Sequence, residues 1–346
     1  MFSMKPLPLE LPLIQAPMAG AQDAGLALAV GEAGGLGSLP AAQLGPEALA
    51  TELARLRAAG RPYNLNFFCH KPPTPDAVRQ AAWVEALKPY YEELYLDAAQ
   101  AEAGPGRQPF DAEVLARIAP FRPPVVSFHF GLPDEALLAP IRAWGGCILS
   151  SATTVEEARW LAARGVDGLI AQGLEAGGHR GMFLSDDLST QLGSFALLPQ
   201  IVRAAPLPVV AAGGIADAAG VAAARALGAC AVQVGTAYLL CPEARISPLH
   251  RAALQAPEPG PTQLTRLFTG RPARGLVNRL MRELGPMSPL APAFPLAPGA
   301  LAPLRAAAEA RGRSDFSPLW AGQNLSGCRA VPAGQLTREL AAGWGR

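Results

Sequence analysis

Residues 208–239 read PVVAAGGIADAAGVAAARALGACAVQVGTAYL. An apolar run, PVVAA, enters Gly213-Gly214; an alanine-rich helical stretch follows over 216–227; Gly228 stands where a helix C′ glycine belongs. A second apolar run then ends in Gln233-Val234-Gly235-Thr236. Neither run alternates with polar residues, the pattern of strands covered on both faces. A strand, a helix and a strand in this order predict two parallel neighbours in one sheet.

The same unit recurs toward the N-terminus. Strands are expected at 13–18, 35–39, 64–68, 124–130, 147–152 and 168–173, which with 208–214 and 231–239 makes eight. Helices are expected at 24–33, 46–59, 76–92, 154–164 and 216–227. Eight strand–helix units in about 240 residues point to a closed (β/α)8 barrel, the TIM-barrel architecture, over an open doubly wound sheet. After Leu240 the texture changes. Residues 242–304 are proline-rich with few strand-like runs, and GRPARGLVNRLMRELGP (270–286) places Leu276, Val277, Leu280, Met281 and Leu284 on one helical face. A second interruption, at about 71–112, carries Trp83, Tyr90, Tyr91 and Tyr95. Both follow the C-terminal end of a strand, the catalytic face of such barrels. The expected organisation is therefore a barrel over 1–240, interrupted by a helical insertion at about 71–112. A segment over 241–346 then packs back as a small helical lid subdomain.

Composition narrows the function. Charged residues make up 16% of the chain and hydrophobic ones 50%, which suits a large interior; 29 basic against 28 acidic side chains leave a net charge of +1. No field of one sign exists to draw in nucleic acid or an anionic membrane. Five scattered cysteines and four scattered histidines form neither a disulfide framework nor a metal-ligand pattern. No site metal is expected, and the cysteine usage suits a reducing cytosol. The N-terminal MFSMKPLPLE is broken by prolines and Glu10, so it does not read as a signal peptide, and no run is long enough for a membrane helix.

Chemistry concentrates at strand ends. Gly213-Gly214, followed by a helix N-terminus, suits a phosphate: glycine admits a close ligand and the helix start offers N–H groups. The expected strands seven and eight are where such barrels frequently hold one. QGLEAGGHRG (172–181) follows the sixth strand and brings His179 to the catalytic face, where an imidazole suits general base work at neutral pH. Arg180 either anchors an anion or pairs with a carboxylate such as Glu175. Met18, in IQAPMAG, offers a thioether to a flat ring or is simply core. Asn64 and Asn66 share a strand face, and either can read the edge of a polar heterocycle. His129 lines the pocket or packs behind it; Cys69 reads as a buried apolar residue; His70 and His250 receive no role. Arg271, Arg274, Arg279 and Arg282 form a solvated helix face, or Arg271 or Arg274 meets the carboxylate of a small acid.

These residues carry a resemblance. IQAPMAG, GGLGSL, NLNFF, VSFHFGLP, IAQGLEAGGHRG, AAGGIAD and QVGTAYL occur in the order found in the nitronate monooxygenases, formerly called 2-nitropropane dioxygenases. VSFHFGLP and GRPARGLVNR are similar to the class I branch. The resemblance implies FMN at the C-terminal strand ends, contacted by Met18, Asn66, Gln172, Gly177, Gly214, Gln233, Val234, Gly235 and Thr236, with His179 as the catalytic base. It implies oxidation of a small-molecule nitronate, for example propionate 3-nitronate, by O2 to a carbonyl compound and nitrite, as a detoxification. An alternative is a flavin-dependent NAD(P)H reductase of the quinone or enoyl-acyl-carrier-protein type. A flavin-free isomerase or aldolase and a non-catalytic flavin-binding module are more distant readings.

Overall fold

Strands form at all eight expected places, most of them runs rich in Val, Ile and Leu without polar alternation. In the structure, a computed structural model describing residues 9–101 and 106–345, these are β1 (Leu13–Gln15), β2 (Gly37–Pro40), β3 (Tyr63–Phe68), β4 (Val125–His129), β5 (Cys147–Ala152), β6 (Gly168–Gln172), β8 (Val209–Ala212) and β9 (Ala231–Val234). The N-terminal reading over residues 1–8 and positions 102–105 of the 71–112 insertion lie outside the described residues. The strands pair in parallel in the order β1-β9-β8-β6-β5-β4-β3-β2. A single bridge, Ile14 to Leu36, closes the ring between β1 and β2. The seam is reinforced by Gln15 N to Leu36 O and Leu36 N to Leu13 O, both 2.9 Å.

Helices α1 (Ala24–Glu32), α2 (Pro46–Ala58), α4 (Ala112–Ile118), α5 (Glu135–Ala143), α6 (Val155–Ala162), α7 (Ser194–Ala204) and α8 (Ala218–Ala226) cover the barrel. The eighth covering helix does not follow β9 directly. The chain first runs through the lid, then returns as α12 (Ala333–Ala341), which packs on α1 and α8. Thr337 of α12 meets the Tyr238 hydroxyl at 2.8 Å inside the core.

The lid joins both insertions. Helix α3 (Ala77–Glu93) contributes Trp83, Leu87, Tyr90 and Tyr91 to one buried cluster with Leu280 and Met281 of α10 (Arg279–Leu284) and Leu301 and Leu304 of α11 (Pro298–Glu309). Helix α9 (Pro248–Gln255) leads into it. The lid is not purely helical. Strands β10 (Thr262–Thr265) and β11 (Ala273–Leu276) pair antiparallel, and β11 pairs with β7 (Gly178–His179) from the loop after β6. The helix expected over 270–286 therefore begins only at Arg279. Asn278 Oδ1 accepts from Met281 N at 3.2 Å and caps it, so Leu276 and Arg274 fall on a strand.

Close packing of α1 on β2 depends on Gly37, where an added Cβ would overlap the Ala27 backbone. Gly37→Ala is expected to lower stability by at least ~2 kcal/mol, the scale of overpacking a filled interior, read as a urea midpoint shift at unchanged slope. Gly45→Ala, where the space is open, should cost under ~1 kcal/mol. Equal midpoints for the two variants would show that α1 moves aside freely.

Candidate active site

Alternate residues of each strand point into the barrel, and their chemistry changes along its axis. The floor is apolar: Ile14, Leu36, Val125, Leu149, Ile170 and Val210 form one buried cluster. Toward the C-terminal ends the inward positions become Asn66, Phe68, His129, Ser151, Gln172 and Gln233, and these line a cavity of about 390 Å³. Lid residues Phe268, Thr269, Leu301, Phe316 and Trp320 line its other side. The cavity is thus walled by the barrel and by both parts of the lid.

His179 lies in this cavity on β7, held from several directions. Its backbone pairs with Ala273. Its carbonyl accepts from Gln172 Nε2 at 2.9 Å and meets His129 Nε2 at 3.2 Å. Its own Nε2 lies 3.0 Å from Thr269 Oγ1. The rings of Phe68, Phe130, Phe294 and Trp320 surround it, with centroids 5.5–6.1 Å away. Burial, followed by the charges of Arg107, His129, Arg271 and His70, holds His179 well below the ordinary histidine range. The imidazole is neutral at pH 7. Phe130 is forced to φ 70°, with Gly131 at φ 96° behind it; a bulky residue in that conformation marks stored strain. The Arg271 guanidinium lies 4.1 Å over its ring.

The remaining expected residues distribute as follows. Met18, Asn66, Gln172, Gly177, Gly214, Gln233, Gly235 and Thr236 all line the cavity. The Val234 side chain does not: it is buried in the core outside the barrel, and its carbonyl accepts from Ala16 N at 2.8 Å. Of the two asparagines, Asn66 reaches the cavity, its Nδ2 donating to Ser127 Oγ at 3.0 Å, whereas Asn64 is buried against Ser38. Gln172 spends its amide within the chain, since its Oε1 accepts from Gly181 N at 2.8 Å. Arg180 neither faces an anion nor pairs with Glu175. Fully buried, it donates to the carbonyls of Gln172 and Gly173 and to Gln191 Oε1 at 2.6–3.1 Å. Burial pushes the Cys69 thiol well up, in keeping with an apolar filler.

The glycine turn differs from expectation in one respect. Helix α8 starts at Ala218, and Asp217 Oδ1 already caps it, accepting from Gly220 N at 2.7 Å. The cavity is lined instead by Gly213, Gly214 and Ile215, upstream of the helix. Both glycines have positive φ, 109° and 75°. Ser194 Oγ and Asn324 Nδ2 hold their carbonyls at 2.9 and 3.0 Å. Among the described residues nothing accepts from the N–H groups of Gly214, Ile215, Gly235 or Thr236. Gln233 Oε1 is buried without a donor. A set of open N–H groups, an orphaned amide oxygen and glycine walls fits a flat, polar-edged group bearing one phosphate, as FMN is.

The lid arginines are engaged elsewhere. Arg274 is buried on β11 and donates to the Leu174 carbonyl at 3.0 Å; Arg271 donates to the Met182 carbonyl; Arg279 pairs with Glu93 and Glu283. Two arginines line the cavity: Arg305 pairs with Glu309 at 2.7 Å, whereas Arg107 donates to Gln43 at 2.8 and 3.2 Å once that amide presents its oxygen. Sequence reasoning missed Arg107, Thr269, Phe294 and Trp320. All four come from the insertions, and no local motif marks them.

Comparison with known proteins agrees with this picture. The sequence profile described as Nitronate monooxygenase matches residues 2–343. A nitronate monooxygenase of Pseudomonas aeruginosa is 41% identical, covering 96% of each chain. The solved nitroalkane oxidase of Streptomyces ansochromogenes superposes with a TM-score of 0.88 at 41% identity, covering 97% of this chain and 96% of its own. FabK of Thermotoga maritima, at 23% identity, TM-score 0.70 and coverage of 99% and 95%, shares the fold.

Burial holds all four histidines below their ordinary range, His129 and His250 at about 4. The unfolded chain therefore takes up these protons first. Stability is complete above the unfolded value of about 6.5 and falls as pH drops below it, by up to about 1.4 kcal/mol per unit for each histidine. Denaturation midpoints at pH 7.5 and 5.5 measure the loss. His250→Gln should shrink it; an undiminished loss would remove His250 from the account.

Proposed function

The chain belongs to the nitronate monooxygenase family, an oxidoreductase and flavoprotein family, and from that premise we propose that it oxidises alkyl nitronates with FMN and O2, giving a carbonyl compound and nitrite. The observation that carries this reading is the juxtaposition, in one cavity, of a neutral His179, the glycine turn at 213–215 and the unpaired Gln233 Oε1. Gly213–Ile215 with Gly235 and Thr236 would hold the FMN phosphate; Asn66 and Gln233 would meet its polar ring edge, and Met18 its face. When bound, FMN supplies the electron transfer that the side chains cannot.

The chain's own contribution is electrostatic. His179 accepts a proton, either the α-proton of a neutral nitroalkane or one taken up together with an incoming nitronate. A base held so low is a weak proton acceptor on its own. The anion formed or bound beside it restores its basicity, since opposite charges favour each other's ionised forms. This arrangement favours substrates that arrive as nitronates. Arg107 and Arg271 lower the imidazole's affinity for a proton and stabilise the anion by the same field. Phe68, Phe130, Phe294 and Trp320 keep water from the reacting centre.

Arg107 supports an acidic substituent on the substrate, such as the carboxylate of propionate 3-nitronate. Its guanidinium lines the cavity with only the neutral Gln43 amide as partner, and no ion pair engages it among the described residues. This replaces the assignment to Arg271 or Arg274, neither of which lines the cavity: Arg271 donates to the Met182 carbonyl and stacks on Phe130, and Arg274 donates to the Leu174 carbonyl.

The test starts with the extracted flavin, expected to be FMN, and with nitrite release from a nitronate in air. FAD as the sole flavin would overturn the single-phosphate reading of the site, and rapid bleaching by NADH without air with no nitronate turnover would replace the monooxygenase with the reductase. His179→Asn should retain FMN and lose about 10²–10⁴-fold in turnover of a neutral nitroalkane, the range of general base catalysis. Arg107→Met should reduce kcat/KM for propionate 3-nitronate at least tenfold more than for a neutral propyl nitronate. Equal losses would make Arg107 a structural residue.

A further inference from the structure

His179 has two ring nitrogens, and the structure distinguishes them. Nε2 lies 3.0 Å from Thr269 Oγ1. That hydroxyl also lies 3.2 Å from the Arg271 carbonyl, and the Arg271 N–H points back at it from 3.4 Å. Thr269 is 5% exposed, so water does not share in this network freely. A threonine hydroxyl has one proton. A carbonyl can only accept, and no other group among the described residues donates to the Arg271 carbonyl. Satisfying that carbonyl within the chain takes the Thr269 proton, which leaves the Thr269 oxygen to accept from His179. Nε2 carries the hydrogen. Nδ1 keeps the lone pair and has no partner among the described residues, on a ring that lines the cavity.

We propose that Thr269 is a positioning residue that fixes the Nε2–H tautomer of His179 and so makes Nδ1 the atom that takes the proton. This rests on the reading of His179 as the proton acceptor. In the step itself, the α-carbon–hydrogen bond of the nitroalkane breaks and an Nδ1–H bond forms. The electron pair moves onto the nitro oxygens, leaving nitronate and imidazolium. The imidazolium then donates from Nε2 to Thr269 and from Nδ1 to the anion, and both N–H groups are satisfied. With the other tautomer the proton would already occupy Nδ1, and the site could not act as a base toward the cavity.

The geometry separates this role from simple packing. The backbone at 269–270 is held independently: Gly270 sits at φ 88°, and an added Cβ there would overlap the Pro292 carbonyl. Threonine and valine have nearly the same shape. Thr269→Val thus removes the hydrogen-bond relay with little change in volume, and Thr269→Ser retains it.

The test is the tautomer, read on holoenzyme labelled with ¹⁵N-histidine. With four histidines in the chain, the long-range ¹H–¹⁵N spectrum contains four ring systems, and the one lost in His179→Asn belongs to His179. The wild type should show a protonated Nε2 and an unprotonated Nδ1. Thr269→Ser should preserve this pattern, and Thr269→Val should lose it. Neutral nitroalkane turnover should fall at least tenfold in Thr269→Val at unchanged flavin content and recover in Thr269→Ser. The upper bound is the ~10⁴-fold that a wrong histidine tautomer costs a serine-protease triad. A wild-type Nδ1–H tautomer overturns the proposal even if Thr269→Val fails to fold, as does a His179 tautomer unchanged in Thr269→Val. If the tautomer behaves as expected while His179→Asn turns over every substrate at wild-type rates, the lock stands and the assignment of His179 as base falls.

Discussion

The site depends on one short antiparallel pairing, Gly178–His179 of β7 against Ala273–Arg274 of β11. A loop that leaves a barrel strand would otherwise carry His179 on a flexible tether. Here the lid sheet takes it up as an edge strand and fixes its register, while Arg180 anchors the next residue from below. That guanidinium is buried among two carbonyls and a glutamine oxygen rather than a carboxylate, so it acts as a clamp on the loop backbone. Breaking this pairing would release the histidine, its ring partner Thr269 and the Phe130–Arg271 stack together.

The chemistry of the cavity follows from how charge is rationed there. Histidines are buried without acidic partners and so stay neutral; Glu175 is occupied by Ser194; the cations near the centre have few counter-ions. The result is a chamber with a positive bias, favourable to an anion and to the neutral form of a base. The bias comes from the two insertions, which supply Arg107 and Arg271. The barrel supplies the polar groups that suit the cofactor.

The barrel was legible because each of its strands is a local apolar run covered on both faces, and because its helices carry their own stop signals. The lid sheet was not. TQLT and ARGL have little intrinsic strand character; they pair with each other, and ARGL also pairs with a partner some 95 positions away in β7. The helical spacing of Leu276, Val277, Leu280, Met281 and Leu284 was real, but Asn278 in its middle is a cap, and a cap divides a pattern into a strand end and a helix start. His179, Gly214 and Gln233 could be found because strand ends in a barrel converge. Arg180 was misjudged because a buried arginine and a substrate-facing one look alike in sequence. Thr269 was invisible for a similar reason: one hydroxyl among many gains its meaning only from the carbonyl and the ring it happens to bridge.

The position of α12 has a consequence for how the molecule is assembled. The lid is inserted between the barrel's last strand and the helix that covers it, so in chain order the lid is complete before the barrel wall is. Until α12 arrives, the groove between α1 and α8 is open, and the Tyr238 hydroxyl beneath it lacks its Thr337 partner. Contacts of such long sequence separation form late, because loop closure must precede them. The lid and its buried histidine are thus arranged over a barrel still open on one side, and the wall is sealed afterwards, with α12 as the closing stave.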